Sequence, residues 1–408
     1  MKFILFSIFF VSSYFSFAKP TIRIKSGKWI GVLELTQNEK LYFEIRIDNK
    51  KSNCTIQIKN GEEIVPLNQP TINGDSVHVQ FANFNTELIF KVVNKTSIQG
   101  RWVNHIKTNY EIPFKAYLSK ATTVFPITKL SPVKNFDGRW KSSFKDMHGE
   151  EIAIGLFQQN GANATGTFLT ETGDYRFLSG NVDSNTLYLS GFDGSHAYLF
   201  VGTQDDQGKI KGLFLSGTHH RSVWTAERND TFQLSDADSI TTFVGESKDD
   251  IILNFKNLDG TNFEYPNEQF KDKVVIIQIM GTWCANCMDE TVYFKELYDK
   301  YNAKGLEIIT VGYETGATFE ECSKQLQAFQ QRFNLKNTIV VGGNVRKNKV
   351  MDDFTFLSNF SSYPTSIFID KKGNVARIHT GFSGPSTGKI YTDYKQETER
   401  LIEELINL

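Results

Sequence analysis

The sequence predicts a multidomain chain: an all-β amino-terminal part, built as a tandem repeat of small barrels or sandwiches, followed by an α/β carboxy-terminal domain. Three observations carry this expectation. Short alternating runs separated by turn signals fill residues 22–230. Those runs recur at an offset of about 110 residues. From Ile251 onward strand-like and helix-like segments follow in the order β-α-β-α-β-β-α, which implies a mixed sheet with helices on both faces. The 408 residues leave room for roughly two to four domains.

Composition narrows the class. A hydrophobic share of 40%, with 34 Phe and 15 Tyr against 9 Pro, favours packed β-rich structure over disorder. Basic and acidic residues nearly balance (45 and 46, net −1), so there is no electrostatic case for nucleic acid or an anionic membrane surface as partner.

The chain opens "MKFILFSIFFVSSYFSFAKP". Lys2 supplies a charged start, Phe3 to Val11 an apolar stretch, and Ser16-Phe17-Ala18 a small-x-small cleavage site. The stretch is too short and too interrupted by Ser to span a bilayer, and a buried first strand would show polar alternation. No Cys follows the cleavage point, which argues against a lipid anchor. The expectation is an exported, soluble mature chain beginning near Lys19.

Residues 19–125 and 126–232 are expected to be two copies of one β module. "SGKWIG" (26–31) answers "DGRWKS" (137–142), setting Trp29 against Trp140. "VHVQFANFNTELIF" (77–90) answers "LYLSGFDGSHAYLF" (187–200), and "SIQGRWV" (97–103) answers "KIKGLFL" (209–215). Shared turn punctuation could produce one such match; three in order favour duplication. The G-x-W opening resembles that of lipocalin and avidin barrels, and no ligand follows from it. "FPITKLSPVKNF" (125–136) reads as the connection between copies, and the polar, acidic residues 233–250 as a linker to a final domain at 251–408.

In that domain "VVIIQIM" (274–280) and "LEIITVGY" (306–313) read as strands buried on both faces. Between them Val292, Leu297, Tyr298 and Tyr301 recur at helical spacing, stopping at Gly305. "TFEECSKQLQAFQQRFN" (318–334) opens with a capping box, Thr318 to Glu321, and puts Cys322, Leu326, Phe329 and Phe333 on one face. "TSIFID" and "VARIHTG" flank the turn "KKGN" as a hairpin, and "DYKQETERLIEELINL" is an amphipathic helix.

The chemistry lies in "GTWCANC" (281–287). Only four cysteines occur, Cys54, Cys284, Cys287 and Cys322, too few for a disulfide-stapled secreted scaffold of this length. Cys284 follows a buried strand and opens a helix, whose unpaired N–H groups and positive dipole end favour a thiolate. Two intervening residues in a first helical turn bring Cys287 beside it. Cys284 can then attack a disulfide and Cys287 resolve the mixed disulfide. A structural zinc site would need two further ligands, and Cys54 and Cys322 are isolated while His219-His220 lie in the β region. Plain burial is disfavoured at a helix start just beyond a strand end.

"GTWCANC" with the following "MDE", the upstream "NLDGTNFEYPNEQFKDKVVIIQIM" and the downstream "YPTSIFIDKKGNV" together resemble thioredoxin-fold proteins of the TlpA/ResA type, over residues 243–408. Such proteins are exported bacterial thiol–disulfide oxidoreductases. The resemblance implies a thioredoxin-like domain, a redox-active Cys284–Cys287 disulfide, a periplasmic location and electrons drawn from a membrane partner. It implies that Trp283 shields the disulfide and that Tyr363 and Pro364, the latter cis, face it across the substrate groove. Read without the family, Pro364 is a trans residue at a strand start. Glu290 matches an acidic residue near the thiols that could exchange the proton of Cys287, or it is an ordinary first-turn Glu complementing the helix dipole. Two departures stand out. The intervening dipeptide is Ala285-Asn286 in place of x-Pro, and Thr291-Val292 stand where relatives carry Pro. Because the dipeptide helps set redox poise, and potentials in this fold spread over roughly 150 mV, the direction of electron flow stays open.

The resulting reading is an exported thiol–disulfide oxidoreductase that reduces protein disulfides through Cys284 and Cys287, with the β modules positioning it or binding a partner. No metal or cofactor is expected. Two rivals are a thiol peroxidase, disfavoured because Gly281 stands where a peroxidatic site wants Thr or Ser, and a non-enzymatic binding protein whose β region is the functional part. Cys322 and Cys54 read as structural, the alternatives being a third redox thiol at Cys322 or a Cys54–Cys322 bridge. "GFSGPSTGK" (381–389) has the wrong spacing for a phosphate loop, and Ile390 follows its Lys, so it reads as a connecting loop.

Overall fold

The computed structural model describes residues 22–50, 53–128, 131–347 and 350–408; the expected leader lies outside them. Its all-β part is two antiparallel sheets of nine strands each. Alternating apolar residues point inward from each, as in Lys40–Lys50, where Leu41, Phe43, Ile45 and Ile47 are buried.

The first sheet spans residues 27–118, with strands in chain order 4-3-2-1-9-8-7-6-5. A bridge from Leu67 to Phe81, just past its fourth and sixth strands, and the hydrogen bond from Asn68 N–H to the Gln80 carbonyl draw one end back towards the other. The second spans residues 138–228 in the order 2-1-9-8-7-6-5-3-4, and a further pairing between its second and third strands closes a ring of eight. Closure removes the exposed edges of that sheet. Both sheets are barrels around aromatic cores.

The two barrels repeat in detail. Trp29 and Trp140 are fully buried, and each Nε1 donates to a carbonyl four residues back, on Lys25 and Phe136. At Gly100 and Gly212 a Cβ would run into the carbonyl oxygen of the neighbouring strand, at Ile89 and Val201 respectively, so both positions require glycine. The barrels meet through Phe192 of the second, which packs on Phe43, Phe81 and Trp102 of the first at centroid distances of 4.7, 5.4 and 5.2 Å. Asn60 holds both main-chain groups of Phe192.

The carboxy-terminal sheet has seven strands in the spatial order Asn262–Tyr265, Leu253–Asn257, Thr338–Asn344, Leu306–Glu314, Val274–Met280, Thr365–Ile369 and Val375–Thr380. The Leu306–Glu314 strand runs parallel to both neighbours; the remaining pairs are antiparallel. Every residue of Val274–Met280 is buried, as its continuous apolar run requires.

One expectation fails here. The long helices do not cover both faces: Ala285–Tyr301, Phe319–Phe333 and Lys389–Asn407 share one face. The two parallel crossovers step in the same direction across the sheet, and right-handed connections then keep both helices on one side. The other face packs against Ile251, Phe270 and the segment Val350 to Leu357, whose first turn is the short helix Val350–Asp353. Val292 also departs from the expected stripe and is exposed, because the buried face of its helix runs through Glu290, Tyr293, Phe294, Leu297 and Tyr301. The expected capping box is half formed: Thr318 Oγ1 accepts from Glu321 N–H, while the Glu321 carboxylate accepts from Ala317.

The stretch after residue 236 packs on this unit. Asp238 in the short helix Ala237–Ile240 pairs with Arg377 and His379 on the last strand. Among the described residues no helix is long and apolar enough to cross a membrane.

Candidate active site

The buried strand Val274–Met280 ends at Gly281, where a Cβ would collide with the ring of Trp283 and the carbonyl of Tyr313. Glycine there leaves room for the Trp283 ring. Cys284 is the N-cap residue of Ala285–Tyr301, and its sulfur accepts the Cys287 N–H at 3.2 Å. A disulfide joins Cys284 to Cys287, with Cα atoms 5.3 Å apart. Cys287 is fully buried, whereas Cys284 is part-exposed. Of the two sulfurs, that of Cys284 is the one on the accessible side, at the N-terminal end of the helix.

The Tyr363–Pro364 peptide, which precedes Thr365–Ile369, is cis. Cys284 Sγ lies 3.6 Å from the Tyr363 carbonyl oxygen. The Tyr363 ring is wedged among Trp283, Phe360 and Tyr313, with centroids 5.4, 4.8 and 6.1 Å away. Trp283 is fixed in turn by its Nε1–H, which donates to the Tyr313 carbonyl at 2.9 Å. Trp283 and Cys284 thus share one surface with Tyr363, about 80 residues on in sequence, while Pro364 is buried behind it.

Glu290 lies one helical turn beyond Cys287 and is fully buried. Gln278 Nε2 donates to one carboxylate oxygen at 2.9 Å and Ser366 Oγ to the other at 2.9 Å. Burial pushes its pKa up to about 8, against the pull of those two donors. A first-turn Glu complementing the dipole would face solvent; this one faces the sheet. Thr291 donates through Oγ1 to the Cys287 carbonyl at 2.8 Å.

A second buried carboxylate escaped sequence reading. Glu314, at the end of Leu306–Glu314, accepts from the N–H and Oγ1 of Thr282 at 2.8 and 2.7 Å, and burial lifts its pKa to about 7. The signal was a lone acid closing a buried apolar run.

The largest surprise is that the barrels reach the site. Arg176, at φ 55°, donates to the Ala285 carbonyl at 2.9 Å and to Asp289 at 2.7 Å, and also pairs with Glu63 of the first barrel and Asp193 of the second. Asn286 Nδ2, between the two cysteines, donates to the carbonyls of Asp174 and Phe382 at 3.2 and 3.4 Å. Ser386 Oγ donates to Asp174, and Gly173 bridges to Phe382. The unusual dipeptide Ala285-Asn286 is therefore a docking contact. Phe84 of the first barrel joins the cluster around Cys287 and Met288.

The other two thiols are free and buried. Burial pushes Cys54 up to about 11 and also raises Cys322, which disfavours the thiolate of each. Among the described residues no group of three His, Cys, Asp or Glu side chains could hold a metal ion.

The strand, the disulfide at the helix start and the cis-proline loop opposite define a thioredoxin-fold thiol–disulfide oxidoreductase. The Redoxin family profile matches residues 237–393. ResA, a thiol–disulfide oxidoreductase of Geobacillus kaustophilus, is 30% identical over 162 residues, which are 40% of this chain and 78% of that one. ResA of Geobacillus thermodenitrificans is 31% identical over 138 residues, 34% and 70% of the two chains. A secreted thiol–disulfide isomerase of Corynebacterium glutamicum, solved by crystallography, aligns over 44% of this chain and 99% of its own at 18% identity and a TM-score of 0.32. Through its carboxy-terminal domain the chain belongs to the ResA-type thiol–disulfide oxidoreductase family. The barrels lie outside the Redoxin match.

Proposed function

We propose that the protein is an exported reductase of protein disulfides, in which Cys284 is the nucleophile and Cys287 the resolving thiol. The observation that carries this reading is the asymmetry of the pair. Cys284 is part-exposed at a helix N-cap beside the Tyr363 carbonyl, and Cys287 is buried behind it. A substrate disulfide enters along Trp283 and Tyr363, the latter followed by the buried cis-Pro364. The Cys284 thiolate attacks one sulfur, and the other leaves as a thiolate that takes up a proton. Cys287 then attacks Cys284 Sγ, releasing the reduced substrate and closing the disulfide present here.

Resolution requires Cys287 to lose its proton in a buried setting. Glu290, with a pKa near 8 and one turn away, is a base of suitable strength. Return to the dithiol needs a two-electron donor, which for an exported protein of this family is a membrane thiol carrier. The division proposed is a leader at 1–18, barrels at 19–125 and 126–232, a connection at 233–250 and the redox domain at 251–408, with the barrels positioning the enzyme or its partner.

Equilibration of the mature chain in thiol–disulfide buffers tests this reading. A reversible two-electron transition at the reducing end of the thioredoxin range is expected. A strongly oxidising value would reverse the direction of electron flow, and no transition would end the redox assignment.

A further inference from the structure

A cleft of about 300 Å³ opens directly over Cys284, and only one of its walls belongs to the redox domain. That wall is Trp283, Ala285, Asn286, Ser362 and Tyr363. The other is the open end of the second barrel, where Thr170, Tyr175, His196 and Tyr198 face the disulfide. The His196 and Tyr198 rings stack at 4.7 Å, and Tyr175 packs edge-on to Tyr198 at 5.1 Å, so this wall is made of mutually supported rings.

The barrel is not free to swing aside. Arg176 is buried among Asp289, Glu63 and Asp193, which belong to three different parts of the fold. Burial raises Asp193 and His196 and Arg176 pull it down, leaving it at about 2 and thus ionised opposite Arg176. Asn286 is bonded to the Asp174 backbone, and Gly381 approaches the Thr172 backbone so closely that a Cβ would not fit.

We propose that the open end of the second barrel and the redox pair form one composite substrate site, which admits a slim, extended cysteine-bearing peptide segment to Cys284 and turns away disulfides held in folded domains. The proposal rests on Cys284 being the nucleophile. Its basis is size and lining. A folded partner needs roughly 800 Å² of contact surface per side, and the barrel wall stands where that surface would have to lie. The cleft matches the lower end of the roughly 300–1,000 Å³ that accommodates a small ligand or a few residues of chain. Its lining is polar, with the hydroxyls of Thr170, Thr172 and Ser362, the His196 imidazole and the charged groups of Glu151 and Arg176, and suits the polar groups of a peptide better than an apolar ligand. Discrimination is then steric and acts on the sulfur exchange step alone. The Cys284 thiolate attacks the segment's cysteine sulfur where it is held in a disulfide. A Cys284–segment mixed disulfide forms, and the other sulfur is expelled as a thiolate that takes a proton from water. Cys287 then attacks Cys284 Sγ, closing the Cys284–Cys287 disulfide and releasing the segment's cysteine as a thiol, so that two electrons have passed to the segment.

The test compares matched probes that carry the same mercaptoethanol-capped cysteine, one in a short linear peptide and one on the surface of a folded single-cysteine domain. The full mature chain is reduced with dithiothreitol and freed of it, and its single-turnover oxidation is followed by tryptophan fluorescence. The peptide is expected to react about a hundredfold faster than the domain. Tyr198→Ala should cut that ratio about tenfold, while Tyr198→Phe, which keeps the ring, should preserve it. His196→Ala trims the same wall and replaces Tyr198→Ala if that variant does not fold. Equal wild-type rates on both probes would overturn the proposal, as would a ratio indifferent to the wall variants. Hydroxyethyl disulfide reacting as fast as the peptide would assign the cleft to small disulfides instead. Failure of the underlying reading looks different: neither probe oxidises the wild type, or Cys284→Ser retains turnover.

Discussion

At the residue scale, Glu290 is the group whose environment most strongly sets its chemistry. Burial raises its pKa from 4.5 to about 8, so between those values the folded chain holds a proton that the unfolded chain releases. The contribution to stability is complete below about pH 4.5 and is lost as pH rises through about 8, on the order of a few kcal/mol. Glu314, lifted to about 7 by burial, carries the same sign over a narrower window. Urea unfolding of Glu290→Gln between pH 5 and pH 9 should show a flatter decline than wild type; an unchanged slope would assign the decline to other groups. The same variant should slow release of a trapped Cys284 mixed disulfide at pH 7 by roughly 10²-fold, the usual scale for a positioned base. Cys284→Ser should lose disulfide reduction altogether, whereas Cys287→Ser should stall with substrate bound to Cys284, which mass spectrometry would detect.

At the scale of elements, the strand-to-helix junction and the barrel glycines do the most. The Ala285–Tyr301 helix starts at Cys284 because a buried strand ends there and the sulfur itself caps the first turn. In the barrels, Gly100 and Gly212 sit where neighbouring backbones come too close for a side chain. Gly212→Ala should cost about 2 kcal/mol or more, since the Cβ meets both the Val201 carbonyl and the Trp224 ring. Gly208→Ala, at an open turn position with φ 81°, should cost about 1 kcal/mol from backbone strain alone. Chemical denaturation of the pair separates the packing effect from the conformational one.

At the scale of the whole molecule, Arg176 and Phe192 join three folded units into one. Removing the guanidinium leaves Asp289, Glu63 and Asp193 facing each other, and truncation of one partner in such a buried network costs about 3–5 kcal/mol. Arg176→Ala should therefore split a single calorimetric transition into two and raise proteolysis between the second barrel and the redox domain. Phe192→Ala should cost about 3–5 kcal/mol by emptying the space beside Phe43, Phe81 and Trp102. If both variants melt in one transition like wild type, the units are not coupled as these contacts imply.

The class of the molecule was legible in the sequence because it depends on short-range pattern. Alternation made the barrels, a β-branched run made the central strand, and the spacing of Cys284 and Cys287 after it made the redox centre. The cysteine asymmetry was legible for the same reason, since a helix start fixes which sulfur faces out. The one-sided arrangement of the helices, the inward turn of Glu290 and the buried Glu314 were not, because each depends on crossover direction or on which residues stand opposite across the sheet. Least legible was the closure of the second barrel over Cys284. Arg176 and Asn286 lie 110 residues apart, and no periodicity links them. What the sequence by itself determined is the redox pair and the fold that carries it. Only the tertiary structure decided what stands in front of that pair, because contacts between separately folded units leave no local pattern in either of them.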